Sequence, residues 1–345
     1  MKIAAFSKYL AYNIGGAEKS TLSLLNERSS VYGDSIALIS VENPTFLGSK
    51  PIVADVSDGW TVDFLKLRIQ LNRFSYSEYV FNRSHLMRIF KDFEYDELWV
   101  YGSLAPAAAL GFVGNVKYYV RSESDLGVLG NYHQGCSYYA KMLYKLFEYP
   151  ALNIYRRDLQ TLFSRATVIA NSKYMSSRAF DLFGINAEVL YPIVDISGIK
   201  DNLDKCDAEK MWVVFVGDSP VKGLHHVIKV ARHLPDVNFR IVSRFVDEPR
   251  QEGNIRWVPW ETEPWRVYSG ARLVIVPSQW EEAYGRVARE AYLLGIPVLV
   301  SAVGGLPEAV DEDSACLVED YQSPEAWRQA IKNALSSAPS QRFSE

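Results

Sequence analysis

The 345-residue chain is poor in cysteine, and its three thiols, Cys136, Cys206 and Cys316, stand far apart. That spacing suits neither a disulfide framework nor a zinc site and fits a reducing compartment. No apolar run approaches the roughly 18 residues that a spanning helix needs. The first residues form no signal-peptide core, because Glu18 and Lys19 interrupt it. The expectation is a soluble cytoplasmic protein. Charge of one sign is also missing: 37 Lys and Arg meet 41 Asp and Glu, and no long basic run invites nucleic acid. The five histidines show no metal-ligand spacing. Hydrophobic residues make up 48% of the chain, which argues against disorder and for a large core.

What is present is alternation. Short apolar runs recur as KIAAFS (2–7), SIALIS (35–40), ELWVYG (97–102), KYYVRS (117–122), ATVIANS (166–172) and AEVLYP (187–192). They continue as MWVVFVG (211–217), FRIVS (239–243), NIRWVP (254–259), ARLVIVP (271–277), IPVLVS (296–301) and ACLVE (315–319). Helical spacing fills 17–32, 61–72, 77–93, 137–163 and 173–183. Near-continuous apolar strands separated by helices predict parallel sheets covered on both faces. The length exceeds the roughly 250 to 300 residues at which single cores stop growing. The polar stretch 196–210 carries no strand signal and reads as a linker. The expected organisation is two doubly wound α/β domains facing across a cleft: 1–200, 201–335, and a tail at 336–345. Ligands of such sheets sit at the carboxyl ends of the strands.

The turn YNIGGAEKST (12–21) follows the first strand and opens a helix. It lacks a P-loop's glycines: Asn13 and Glu18 occupy those positions, and a carboxylate beside a triphosphate repels it. Gly15 and Gly16 still let a ligand approach the backbone and the positive end of a helix.

The richest segment is PSQWEEAYGRVAREAYLLGIPVLVSAVGGLPEAV (277–310). Ala283-Tyr284-Gly285 reads as a turn, with a helix starting near Arg286. Glu282 then precedes the helix, and Glu290 lies roughly 7 Å along it. Two carboxylates bracket a helix N-terminus that offers free N–H groups and partial positive charge. A pyrophosphate with a sugar ring on either side fits, since a carboxylate accepts hydrogen bonds from vicinal hydroxyls. Taken alone, the two glutamates read better as a helix cap at Glu282 and a solvated-face residue at Glu290.

The segment resembles the signature of the retaining glycosyltransferases of family 4, with the GT-B fold. The residues that carry the likeness are Glu282…Glu290 with Tyr284-Gly285 between them, Gly295-Ile296-Pro297-Val298, and Gly304-Gly305-Leu306-Pro307-Glu308. VFVGDSPVKGLHHVIKVA (214–231) is similar to the opening of that family's second domain, IANSKYMSSRAFDLFGI (169–185) and YPIVD (191–195) to the end of its first, and Gly15-Gly16-Ala17-Glu18 to its first loop. The resemblance implies transfer of a sugar from a UDP- or GDP-linked donor to a glycan, lipid-linked or small-molecule hydroxyl, in polysaccharide or glycoconjugate synthesis, with neither cofactor nor metal. It implies donor contacts from Gly15, Gly16, Gly217, Lys222, Pro259, Glu282, Ala283, Tyr284, Gly285, Arg286, Val287 and Glu290. Lys222 would neutralise the diphosphate, Glu282 orient the sugar and Glu290 hold the ribose. Arg121, Glu123 and Asp125 would face the acceptor, with Glu123 in the catalytic set.

Two departures stand out. Asp218 occupies the place of the family's usual arginine, which leaves Arg244 or Arg286 as substitute cations. RSESDLG (121–127) stands where a histidine is common. These departures keep two alternatives open: a non-catalytic nucleotide-sugar-binding partner subunit and a GT-B sugar-nucleotide epimerase. Asp311-Glu312-Asp313 has a metal-binding form but reads better as a solvated turn. Residues 66–91, with Lys66, Arg68, Arg73, Arg83, Arg88 and Lys91, and the aromatic, basic stretch 138–157 suit peripheral contact with an anionic inner membrane face. An amphipathic core helix with a solvated basic face explains them equally.

Overall fold

The computed structural model describes residues 1–12, 16–44, 57, 59–71, 74–129, 138–206, 208–261 and 263–336. The chain divides into two compact units, Met1–Ile193 and Val194–Glu345, ahead of the expected boundary at 200.

The first unit runs β1 (Lys2–Phe6), α1 (Gly16–Tyr32), β2 (Ser35–Val41), β3 (Thr61–Leu65), α2 (Ser75–Lys91), β4 (Glu97–Val100), α3 (Ala105–Gly111), β5 (Asn115–Val120), α4 (Tyr138–Phe163), β6 (Thr167–Ala170), α5 (Lys173–Phe183) and β7 (Glu188–Val189). The sheet order is β3-β2-β1-β4-β5-β6-β7, parallel throughout. Ile3, Ala4, Ala5 and Phe6 are all fully buried, as a central strand covered on both faces requires. Helix α5 shows how local sequence sets its ends. The Ser172 hydroxyl accepts the Met175 N–H at 3.0 Å, and Gly184 stops the helix at a φ of 69°.

The second unit runs α6 (Ser197–Asp204), β8 (Trp212–Val216), α7 (Leu224–Arg232), β9 (Asn238–Ser243), β10 (Arg250–Glu252), β11 (Ile255–Pro259), α8 (Pro264–Tyr268), β12 (Ala271–Val276), α9 (Arg286–Leu293), β13 (Val298–Ser301), α10 (Leu306–Ala309), β14 (Leu317–Val318) and α11 (Pro324–Ser336). Its order is β10-β11-β9-β8-β12-β13-β14, and only the β10–β11 pair is antiparallel among the described strands. Alternate residues of β8 feed two cores. Val213 and Phe215 join Phe239, Ile241 and Trp327, while Val214 joins Val274, Val300 and Leu306.

Two expectations need correction. Residues 61–71 are not helical: 61–65 form β3, the sheet-edge strand beside β2. Its side chains are exposed or half-buried, so the doubly buried run that marks the other strands is missing. The stretch 196–210 is more than a linker, because it holds α6, whose Ile199 is buried in the second unit. Strand β10 gave no apolar signal, since all three of its residues are exposed. The expected tail lies almost wholly outside the described residues.

Candidate active site

In the second unit the strand order reverses between β8 and β12. The loops that follow these two strands therefore flank a crevice at the carboxyl edge of the sheet. They are locked together. The Gln279 N–H donates to the Val221 carbonyl at 2.8 Å. Gly223 sits at a φ of 87°, and a Cβ there would meet the Pro277 carbonyl oxygen at 2.0 Å. Only glycine fits such an approach. Locking brings Lys222 Nζ to 2.9 Å from Glu282 Oε2 and 5.9 Å from the Trp280 ring centroid. The Ser278 hydroxyl donates to the other Glu282 oxygen.

The Gly304-Gly305 turn buttresses this loop. The Gly305 N–H donates to the Glu282 carbonyl at 2.7 Å, and a Cβ on Gly304 would lie 2.5 Å from that same oxygen. Gly305 lies as close to the backbone of Ala283, where a Cβ would meet the carbonyl at 2.3 Å. Gly285, at a φ of 102°, then turns the chain into α9. The first turn of α9 points N–H groups out of its end, with Arg286 and Val287 as its first residues and Tyr284 buried behind.

Glu290 lies one turn further on and is nearly buried. The Tyr268 hydroxyl donates to its Oε2 at 2.7 Å, and Arg286 Nε donates to Oε1 at 3.1 Å. Burial, reinforced by the neighbouring carboxylate, pushes the Tyr268 phenol well above its usual range, so it stays a donor. Each carboxylate oxygen keeps further acceptor capacity. Gly217 and Asp218 follow β8. A Cβ on Gly217 would meet the Phe215 ring at 2.7 Å. Asp218 binds Arg244 through two hydrogen bonds of 2.8 and 3.2 Å. Arg244 remains 56% exposed by side chain and stands 5.6 Å over Trp260, which follows Pro259 at the end of β11. Asp218 thus anchors a cation at the carboxyl edge.

The first unit places its predicted residues differently. Gly15 lies outside the described residues, and Gly16 begins α1. Asp125 is buried and accepts the N–H groups of Gly102, Arg121 and Ser122 at 3.1, 2.8 and 2.9 Å. It caps the short turn Glu123–Leu126, which gives its carboxylate a structural post. Arg121 stacks at 4.7 Å over Tyr101 and 5.1 Å over Tyr119. Glu123 pairs with Arg178 at 2.9 Å and accepts the Tyr174 hydroxyl at 3.4 Å. Glu18 is buried beside Tyr101, whose hydroxyl lies 3.4 Å away, and burial raises its carboxyl above the usual range. The acidic triplet 311–313 is dispersed: Asp311 pairs with Arg289 at 2.8 Å, while Asp313 accepts the Ala315 N–H at 3.0 Å.

Tyr268, Ser278 and the Arg244–Asp218 pairing went unassigned in the sequence. Only Ser278, four positions before Glu282, offered a local signal.

Known proteins share this fold. Over nearly its full length the chain resembles sucrose-phosphate synthase from Thermosynechococcus elongatus, with a TM-score of 0.71 at 19% identity, covering 98% of this chain and 90% of that one. It also resembles HepE from Anabaena in complex with UDP and glucose, with a TM-score of 0.65 at 16% identity, covering 97% and 89%. The fold is GT-B, two Rossmann-like units in one chain. Residues 204–344, most of the second unit, match the family model of glycosyl transferases group 1. Among curated proteins, a D-inositol 3-phosphate glycosyltransferase of Corynebacterium glutamicum is 35% identical over 145 residues, 36% of this chain and 34% of that protein. The chain thus spans about a third of the length of the curated relatives it matches.

Proposed function

We propose that the chain is a retaining glycosyltransferase that uses a nucleotide-diphosphate sugar, held by the second unit, and a hydroxyl acceptor, taken by the first. One observation carries the reading: two loops locked across the strand-order reversal set Lys222 against Glu282 at the mouth of α9, with Glu290 one turn inside. The donor diphosphate replaces Glu282 on Lys222. Its remaining charge falls to Arg244 and to the N–H groups of 284–287. Glu282, released from Lys222, accepts the sugar hydroxyls, and Glu290 accepts those of the ribose. Gly217 and Pro259 line the nucleotide side.

As the anomeric C–O bond breaks, its electron pair goes to the leaving phosphate oxygen. The acceptor oxygen attacks from the same face, and its proton passes to that phosphate, so retention needs no covalent enzyme adduct. Lys222 and Arg244 supply the positive charge, and the reaction proceeds without a metal. The UDP bound by HepE favours uracil as the base.

Two observations weigh against the competing readings. The partner-subunit reading leaned on the missing arginine at 218, and Arg244 supplies a cation there, held by Asp218. The epimerase reading needs acids ready for proton transfer, and Glu123 and Asp125 are engaged by Arg178 and by backbone N–H groups.

The test is calorimetry with UDP, GDP, uridine and UDP-glucose, followed by a radiolabelled-donor assay with and without acceptor extract. One nucleoside diphosphate should bind at least tenfold more tightly than its nucleoside, and label should move only with acceptor. Equal binding of UDP and uridine, with GDP no tighter, overturns the assignment of the diphosphate site.

A further inference from the structure

Helices α2 and α4 lie side by side in the first unit. The N–H groups of Tyr76 and Ser77 donate to Glu148 at 3.0 and 2.9 Å, and Arg83 donates to Asp158 at 2.8 Å. The two helices contain three acids, and all are buried: Glu78 paired with Lys8, Glu148 at the start of α2, and Asp158 under Tyr79 and Arg83. The cations sort the other way. Arg88 and Lys91 on α2 and Lys145 and Arg157 on α4 are exposed. The outer face of this pair therefore carries cations and no exposed acid, on a chain whose net charge is −4.

The same face is apolar at one end. Met142, Leu146 and Tyr149, spaced i, i+4 and i+7, line one side of α4 and are 50%, 64% and 48% exposed. Phe147 beside them is 54% exposed. Further along, the outward positions Asn153, Arg157 and Gln160 are polar and Ile154 is 39% exposed, so the apolar surface is concentrated in the first half of the helix. Isolated exposed apolar residues are ordinary, but a cluster rimmed by charge of one sign marks an interaction site.

We infer that this face docks on an anionic lipid surface, with Leu146, Phe147 and Tyr149 entering the headgroup layer and Lys145, Arg157, Arg88 and Lys91 facing lipid phosphates. The charge pattern decides between occupants. A second copy would set cations against cations, whereas an anionic bilayer gains about fivefold in partition per cation near its surface. The assignment revises the sequence expectation: Arg83 is tied to Asp158, and Arg73 lies outside the described residues. The anchor is thus the apolar start of α4, with Arg88 and Lys91 kept from the basic run of 66–91. The inference goes beyond the donor-site reading and is tested without donor.

The full chain would be sedimented with vesicles of phosphatidylcholine alone and of equal parts phosphatidylcholine and phosphatidylglycerol. Binding is expected to the anionic vesicles only and to weaken with salt, since charges are screened over about 8 to 10 Å. Leu146→Ser with Phe147→Ser, and separately Lys145→Glu with Arg157→Glu, should each lower binding at least tenfold. These positions are exposed, so the fold should survive, and UDP affinity should stay unchanged. Equal binding to both vesicle types, no binding at low salt, or a lipid-free dimer that Leu146→Ser dissociates would each overturn the inference.

Discussion

Replacing Glu290 separates the structural role of its carboxylate from the ribose-binding role proposed for it. Glu290→Ala leaves the Tyr268 hydroxyl, in a residue only 2% exposed, without its 2.7 Å acceptor. An orphaned buried donor costs about 1 to 3 kcal/mol, and losing the Arg286 pair adds a few tenths. At roughly 2 to 4 °C per kcal/mol, the ligand-free melting point should fall by about 2 to 12 °C. Nucleotide affinity should fall independently, by about 1.5 to 3 kcal/mol for charge-assisted bonds to a ribose, or roughly ten- to 150-fold. Tyr268→Phe breaks the coupling, because it removes the donor and leaves the carboxylate. On its own it should cost about 1 kcal/mol of stability and change UDP affinity less than about threefold. The double variant should regain part of the lost melting temperature and none of the lost affinity. Thermal denaturation without ligand and calorimetry with UDP read the two quantities. A folded double variant that binds UDP as tightly as wild type would refute the ribose role.

Lys222→Ala should depress kcat far more than it raises KM, because charge grows on the leaving diphosphate as the bond breaks; a normal kcat with a raised KM would contradict that role. Gly223→Ala places a Cβ 2.0 Å from the Pro277 carbonyl, at a backbone conformation that side chains rarely adopt, so it should lower both the melting point and UDP binding. Unchanged values would mean that the two loops are not locked. Burial raises Glu18 above its reference value of 4.5, so its contribution to stability is full below that pH and is lost as pH rises through the folded value. Glu18→Gln should therefore match wild type near pH 4 and melt higher at pH 8, and a difference that is flat with pH would sink this account. Sugar transfer should persist in EDTA; loss of activity that magnesium or manganese restores would show that metal completes the site.

The parts legible in the sequence are those whose physics is local. Strands β1, β4, β8 and β12 are buried on both faces, so their apolar runs announced them. Edge strand β3 has no such run, and Val62 and Leu65 mimic helical spacing. The bracket of Glu282 and Glu290 was readable because glycines must stand where loops touch, and Gly285, Gly304 and Gly305 mark those contacts. The partners were not readable. Tyr268 reaches Glu290 across 22 positions, Arg244 reaches Asp218 across 26, and Arg178 reaches Glu123 across 55. Such pairings depend on which strands end side by side, and no spacing in the chain encodes that.

The Arg244–Asp218 pair also changes what a carboxylate at 218 means. A lone carboxylate there would ordinarily repel a diphosphate. Here it holds a guanidinium from the next strand and leaves that group more than half exposed. At the carboxyl edge of the second sheet, Lys222, Arg244 and Arg286 each face one carboxylate, so these six side chains sum to zero charge. The fixed positive potential then comes from the α9 end, equivalent to about half a charge. On the proposed reading a diphosphate gains by exchange, taking cations from carboxylates that in turn accept sugar hydroxyls. The exchange favours a ligand that carries phosphate and hydroxyls together. Inorganic pyrophosphate offers nothing to Glu282 or Glu290, so on the proposed reading it should bind more weakly than UDP-glucose by more than the contacts of the base alone supply.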